Sequence, residues 1–279
     1  MIEPDYEQSL DHLYQRWSRC TQCELGQRRE EVSGSFVFGE GFPRGIMFVG
    51  EGPGATEEQE GRPFVGKSGE ILRNAIISLN LDNYYITNVV SCRSVEQLFN
   101  SEGQPVFRTN RRTGQQFPIL KDKAPSPAQA AKCFQRLCGE IYHVDPTVIV
   151  ALGLEAAKTL SSVRIASLPD AKEHTKEAHI PGMFCVPSRT TVRGLWERKV
   201  RGQIIRPTER WMVRYQLIPT YHPAYIQRFS KDRKPKNPVE VFTDDLKRAS
   251  MIYDRYMLMA HQVIPSEREL NPDLLREVM

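Results

Sequence analysis

The sequence predicts an α/β sandwich built on a parallel sheet, from two observations. Short apolar runs recur along the chain, and between them lie stretches with the length and apolar spacing of helices. Strands alternating with helices place those helices on the faces of a parallel sheet. The runs Ile46 to Val49, Tyr84 to Val90, Thr147 to Leu152 and Gln216 to Pro219, the last leading into Thr220, read as buried parallel strands. Each is too short and too continuously apolar for a surface helix. The chain has 279 residues and 40% hydrophobic content, enough to bury a substantial core.

The intervening elements follow in order. Ser68 to Leu79, Pro127 to His143 and Leu154 to Ser161 have helical length and spacing, with Ser126 as the cap of the second and Pro127 in its first turn. After Pro238 a last helix places Phe242, Leu246, Ala249, Tyr253 and Tyr256 on one face, which predicts packing onto the body. Ser94 to Lys123 is polar and turn-rich, and Ser188 to Arg210 is basic and irregular; both read as loops inserted into a single domain spanning 1–262. Residues 263–279 read as a loose C-terminal extension.

Charge narrows the function classes. The net charge of +4 balances 38 basic against 34 acidic side chains and by itself argues for no partner. Its distribution is uneven: Arg189 to Lys236 holds thirteen Lys or Arg and three acids, Glu197, Glu209 and Asp232. That segment is suited to a phosphate backbone. No stretch approaches the roughly 18 apolar residues of a membrane span. The start, Met-Ile-Glu-Pro-Asp-Tyr-Glu, has no basic region followed by an apolar one, so the expectation is a cytoplasmic protein without membrane contact. In such a reducing compartment the six cysteines are candidates for metal or redox chemistry rather than disulfides.

Three constellations carry chemistry. The first strand runs into Gly50-Glu51-Gly52-Pro53-Gly54, a turn at the carboxyl end of the sheet, where α/β proteins bind ligands. Further on, Gly61 to Ser68 formally matches the phosphate-loop pattern G-x-x-x-x-G-K-[ST]. A phosphate loop must follow its strand directly, however, and here Gly50 to Glu60 intervene, carrying Glu57, Glu58 and Glu60, which would repel a triphosphate. Nucleotide hydrolysis is therefore disfavoured. The second constellation is the Cys20-x-x-Cys23 pair with Cys92 after the second strand and Cys133 on a helix. Four thiolates suit iron–sulfur or zinc, while Cys92 and Cys133 as ordinary buried residues is the alternative that spacing leaves open. The third is Thr220-Tyr221-His222-Pro223 after the final strand, where Glu51 and Asn88 also arrive on strand ends.

Together these stretches resemble the family 4 uracil-DNA glycosylases, the iron–sulfur branch of that superfamily. The similarity is carried by Cys20-Thr21-Gln22-Cys23-Glu24-Leu25, Val49 to Gly69, Thr87 to Arg93, Pro125 to Cys133, Val148 to Gly153 and Pro219 to Arg228, in the family's order. The resemblance implies a three-layer α/β/α sandwich around a four-stranded parallel sheet. It also implies a [4Fe–4S] cluster of structural role held by Cys20, Cys23, Cys92 and Cys133, with Cys138 as the rival fourth ligand and Cys185 a packing residue. The substrate is then uracil-containing DNA, with the target nucleotide flipped out of the stack. By the same likeness Phe64 stacks on the base, Asn88 pairs with its O4 and N3–H edge, and Glu57 walls off a C5 methyl. Gly52 and Pro53 shape the pocket floor, Glu51 positions the attacking water, and His222 stabilises charge on O2. Tyr225 and Arg228 hold the DNA backbone.

The chain departs from the family pattern in the 41 positions (133 minus 92) between its third and fourth cysteines, where relatives have a short Pro-rich link. A monomer is expected, and any protein partner of the inserted loops is unknown. A catalytically inactive iron–sulfur DNA-binding protein on the same fold is the alternative function.

Overall fold

The computed structural model describes residues 6–161, 183–187, 212–228 and 237–262. The predicted loop at 188–210, the extension at 263–279 and most of the basic segment lie outside the described residues. Among the described residues no helix is long and apolar enough to cross a membrane.

The central sheet contains β1 (Glu40–Gly41), β2 (Ile46–Gly50), β3 (Tyr84–Asn88), β8 (Val148–Leu152), β9 (Met183–Pro187) and β10 (Met212–Thr220), in the order β1-β3-β2-β8-β10-β9. Pairings of β2 with β3, β2 with β8 and β8 with β10 are parallel, so the predicted four-stranded parallel core is present. Two edge strands not anticipated from sequence pair antiparallel, β1 on β3 and β9 on β10. β1 has two residues, too few to carry a readable alternation.

Side chains alternate across the sheet as the period of a strand requires. Met47, Val49, Tyr85, Ile149, Ala151 and Leu217 point to one face, where they pack with Leu13 and Trp17 of α1 (Tyr6–Trp17), Leu137 and Ile141 of α5 (Pro127–Val144), and Ala156 and Leu160 of α6 (Leu154–Leu160). Ile46, Phe48, Ile86, Val148, Val150 and Ile218 point to the other. There they meet Leu72 and Ile76 of α4 (Lys67–Ser78), Ile226 of α7 (Pro223–Arg228), and Phe242, Leu246 and Ala249 of α8 (Pro238–Gln262). This is the three-layer sandwich. β8 is buried along its whole length, and each of its Val, Ile and Leu side chains contributes about 1.5–3 kcal/mol on leaving water.

The α5 start matches expectation. The Gln129 amide donates to Ser126 Oγ (3.3 Å), the Ser126 amide donates to Gln129 Oε1 (2.9 Å), and Pro127 follows the cap. On α8 the predicted face holds for Phe242, Leu246 and Ala249, and Tyr253 is half-buried, but Tyr256 is 47% exposed. Periodicity gives the face of a helix without showing where the body beneath it ends.

The stretch 94–123 is not an irregular loop. β4 (Val95–Gln97) pairs antiparallel with β7 (Leu120–Asp122), and beyond them β5 (Phe107–Thr109) pairs antiparallel with β6 (Gln116–Pro118). Asn100 Oδ1 accepts from the amides of Glu102 and Gln104, and Asn110 Oδ1 from those of Arg112 and Thr113. Left-handed glycines, Gly103 (φ 77°) and Gly114 (φ 71°), complete both turns.

Candidate active site

Strand order sets the location of the site. From β2 the chain adds β3 on one side and β8 on the other, and the crevice opens at the carboxyl ends of these strands. A cavity of about 450 Å³ lies there. Glu51, Gly52, Pro53 and Glu57 line it from the turn after β2, together with Phe64 and Ser68. Asn88 comes from the end of β3, and His222, Tyr225 and Arg228 from the segment after β10. Every catalytic, substrate-binding and DNA-binding residue expected from the sequence thus borders one space.

The positions of Asn88 and Phe64 depend on Gly50, which pairs in register with Asn88. A Cβ on Gly50 would lie 2.4 Å from Asn88 Oδ1 and 2.5 Å from Phe64 Cζ, so only glycine allows this approach. Phe64 is buried with φ 53°, a left-handed conformation that a bulky residue holds only when its surroundings impose it. Arg73 does so, donating from Nε to the Phe64 carbonyl (3.0 Å) and from Nη2 to that of Pro63 (3.0 Å).

Asn88 is buried, and its Oδ1 has no hydrogen-bond partner among the described residues. An unpaired buried acceptor is unfavourable by about 1–3 kcal/mol unless a ligand supplies a donor. Beneath it, fully buried Arg136 donates from Nη2 to the carbonyls of Asn88 (2.6 Å) and Val89 (2.7 Å). Its Nη1 donates to Thr87 Oγ1 (3.2 Å) and Glu140 Oε1 (2.7 Å). The sequence reading missed this residue; a charged pair at i, i+4 on an otherwise apolar helix face was its only signal.

His222 directly precedes α7, and Pro223, which has no amide hydrogen, starts that helix. The Ala224 amide donates to His222 Nδ1 (3.1 Å). An accepting Nδ1 carries no proton, so the neutral ring has its hydrogen on Nε2. Burial, reinforced by the charge of Arg228, lowers the imidazole pKa to about 4 and keeps it neutral. The Phe64 and His222 rings stand 6.0 Å apart at 34°. Glu51 has the opposite shift: burial and then the charge of Glu155 raise its pKa above the ordinary carboxylate range. Tyr225 is 39% exposed and its ring stacks on Tyr221 at 5.2 Å, which leaves a flat aromatic step at the rim.

Glu57 spans two turns. Its Oε2 accepts from the Gly54 amide (3.1 Å) and its Oε1 from the Gly66 amide (3.0 Å), the residues that cap α3 (Ala55–Glu60) and α4. The formal phosphate loop is thereby explained away: the amide at the start of α4 already holds an anion from the protein. Ser94, Asp122 and Lys123 also line the cavity, contributed by the insertion and not foreseen.

The cysteines gather on the α1 and α5 face of the sheet. Burial pushes the Cys92 thiol up to about 12; Arg29 opposes this, and the nearby thiols Cys133, Cys23 and Cys20 add to it. Cys133 is likewise raised, first by burial and, among smaller effects, by Cys23 and Cys20, against Arg136 and a Ser91 backbone hydrogen bond. Cys138 is also pushed to about 12 by burial, against the charge of Arg136. Among the described residues no three His, Cys, Asp or Glu side chains stand in metal-holding geometry. The donor chemistry is that of a thiophilic group, since Cys20, Cys23, Cys92 and Cys133 neighbour one another, with Arg29 acting on Cys92 and Arg136 on Cys133 against the effect of burial. Arg29 also braces the first pair, donating to the carbonyls of Ser18 (2.7 Å) and Cys20 (3.4 Å). The side chain of Cys185 lies outside the described residues.

A model of the uracil DNA glycosylase superfamily matches residues 38–247. Among curated proteins, the chain is 31% identical to a type-4 uracil-DNA glycosylase of Thermotoga maritima, over 80% of this chain and 85% of the relative. A type-4 uracil-DNA glycosylase of Sulfurisphaera tokodaii is 30% identical, over 77% and 74%. One of Pyrobaculum aerophilum is 32% identical, over 62% and 77%.

Proposed function

Because the chain belongs to the type-4 uracil-DNA glycosylase family, we propose that it hydrolyses the N-glycosidic bond of deoxyuridine flipped out of DNA, initiating base-excision repair. The observation that carries this reading is the buried Asn88 Oδ1, without a hydrogen-bond partner among the described residues, in a cavity shared with a neutral His222 and a buried Phe64 ring.

The chemistry follows from those groups. Flipping is unfavourable by a few kcal/mol of lost stacking and pairing, least for a mispaired base. In the cavity the Phe64 ring offers a stacking face, and the Asn88 amide offers an acceptor to N3–H and a donor to O4. Cytosine, with an unprotonated N3 and a donor at C4, would leave both ends of that amide mismatched. Glu57, held by two amides, is the proposed barrier to the thymine methyl. As the glycosidic bond breaks, negative charge collects on uracil O2, where Nε2–H of His222 donates. A preorganised donor of this kind contributes about 3–4 kcal/mol to the transition state. Glu51, as the carboxylate, orients the water that attacks the sugar carbon. Tyr225 and Arg228 contact the DNA backbone at the rim.

We assign the four neighbouring thiols Cys20, Cys23, Cys92 and Cys133 to a [4Fe–4S] cluster, which would tie the N-terminal segment to the sheet. Nothing in the proposed hydrolysis passes through it. A cytoplasmic, monomeric enzyme acting on uracil-containing DNA is the corresponding setting.

The test is incubation of the protein with labelled oligonucleotides carrying uracil, thymine or cytosine at one position, followed by alkali to reveal abasic sites. Cleavage at uracil alone is expected. Intact strands in all three, from protein that still binds DNA, would overturn the enzymatic reading in favour of a DNA-binding protein.

A further inference from the structure

We propose that the hairpin insertion between β3 and α5 is a second DNA-contacting arm that grips the duplex beside the flipped nucleotide; this rests on the uracil-excision reading of the cavity. The root of the arm is fixed at the cavity mouth. Ser94, Asp122 and Lys123 line the cavity, and the Lys123 amide donates to the Ser94 carbonyl (3.0 Å). Arg93 Nε donates to Asp122 Oδ1 (2.6 Å), and Arg93 also lies 3.7 Å from Glu58. Glu58 in turn accepts from both terminal nitrogens of Arg28 (2.6 and 3.1 Å), so a chain of ion pairs anchors the arm to α2 (Glu24–Glu31) and α3. Farther out, the backbone bonds Leu98 N to Ile119 O (2.8 Å), Val106 N to Leu98 O (2.8 Å) and Ile119 N to Val106 O (2.9 Å) carry the order from the root to the outer hairpin.

The chemistry of the outer hairpin selects the partner. Phe107 to Phe117 contains Arg108, Arg111 and Arg112 and no acidic residue, and every residue of it is exposed. Phe99 (56%), Phe107 (45%) and Phe117 (42%) add large apolar surface to an element too small to bury it. Arg108 stands opposite Phe117 in the register, so a guanidinium and a ring share one face. Positive charge interleaved with aromatic rings matches nucleic acid: Arg neutralises phosphate, while a ring packs on sugar or on an unstacked base.

The experiment measures binding of the full chain to a long uracil-free duplex by fluorescence anisotropy over a series of salt concentrations. It compares the wild type with a variant carrying Arg108→Ser, Arg111→Ser and Arg112→Ser, all exposed positions outside the cavity. Each lost phosphate contact lowers the slope of log K against log salt by about 0.9, so a fall of roughly 2 to 3 and at least tenfold weaker binding at physiological salt are expected. Phe117→Ser is expected to weaken binding with the slope unchanged. Excision from a uracil oligonucleotide of a few nucleotides, too short to reach the arm, should stay at the wild-type rate. A triple variant with wild-type slope and affinity would overturn the proposal, including one that had lost binding to an acidic protein instead. Because the duplex lacks uracil, binding is read independently of excision, and a wild-type chain that binds through the arm yet releases no uracil from the short oligonucleotide would overturn the glycosylase reading alone.

Discussion

Replacing His222 by alanine should separate catalysis from binding, and the size of the effect follows from the geometry. Nδ1 is occupied by the Ala224 amide, so Nε2–H is the hydrogen that His222, a residue lining the cavity, has left to donate, and its removal takes away one hydrogen bond formed most strongly as charge develops. That is worth about 3–4 kcal/mol, or a 10²- to 10³-fold lower single-turnover rate. Affinity for an abasic product duplex should change little. The pH dependence is a second readout. With a folded-state pKa of about 4 against 6.5 when unfolded, the ring stays neutral through the range in which an ordinary histidine becomes charged. An acid-side loss of activity in that range therefore points to Glu51, whose carboxylate form is lost as pH falls through a pKa raised by burial.

Between about 4 and 6.5 the unfolded chain binds a proton at His222 that the folded chain does not, so stability declines as pH falls across that window. The decline is at most roughly 3 kcal/mol, less where solvent in the cavity screens the ring. His222→Ala should flatten this part of a denaturation profile. Single-turnover kinetics from pH 5 to 8 with urea titrations alongside provide the assay. A wild-type inflection near 6.5 that vanishes in the variant, or a variant that cuts uracil DNA at the normal rate, would refute the reasoning.

Other substitutions test the supports of the site. Gly50→Ala places a methyl 2.4 Å from Asn88 Oδ1 and 2.5 Å from Phe64, so uracil excision should fall at least tenfold with about 1–3 kcal/mol of overpacking strain, read by kinetics and thermal melting. On the proposed cluster assignment, Cys133→Ala should lower bound iron and visible absorption and reduce the melting temperature, whereas Cys138→Ala, outside the assigned ligand set, should keep both iron and colour. Arg136→Leu leaves Glu140 without its ion-pair partner in the interior and should destabilise the fold by about 3–5 kcal/mol in urea titration, while the double change with Glu140→Leu should recover much of it.

What could be read from the sequence divides along physical lines. The four parallel strands are legible because both faces of each are buried, which leaves an unbroken apolar run such as Val148–Leu152. Ser126 and Pro127 announce α5 through local chemistry. By contrast, Glu24–Glu31 has no apolar stripe, and α2 holds its place partly through buried Arg29 reaching back to the Ser18 and Cys20 carbonyls. The hairpins of the insertion advertise their turns at Asn100 and Asn110, but strands of three residues are too short for alternation to show. Glu51, Asn88 and His222 could be named because each sits at the end of a strand or in a turn beside one, whereas Glu57, Phe64, Tyr225 and Arg228, in helices or between them, could be named only through the family resemblance. Arg136 could not, since its partner Thr87 lies 49 positions away and only the folded chain brings them together.

On the proposed assignment of Glu57 as the barrier to the thymine methyl, its two hydrogen bonds bear on how a base is selected. A carboxylate fastened to the leading amides of two helices is a strut, and the opening beside it has its dimensions before DNA arrives. Selection at such an opening resembles passage through a rigid gauge: an oversized base is turned away on contact, without a loop having to close around it. Rejection of this kind draws little on conformational entropy, so the ratio of uracil to thymine processing should vary only weakly with temperature. Glu57→Gln, which keeps the length but weakens one of the two fastenings, would let that ratio drift as the strut loosens on warming.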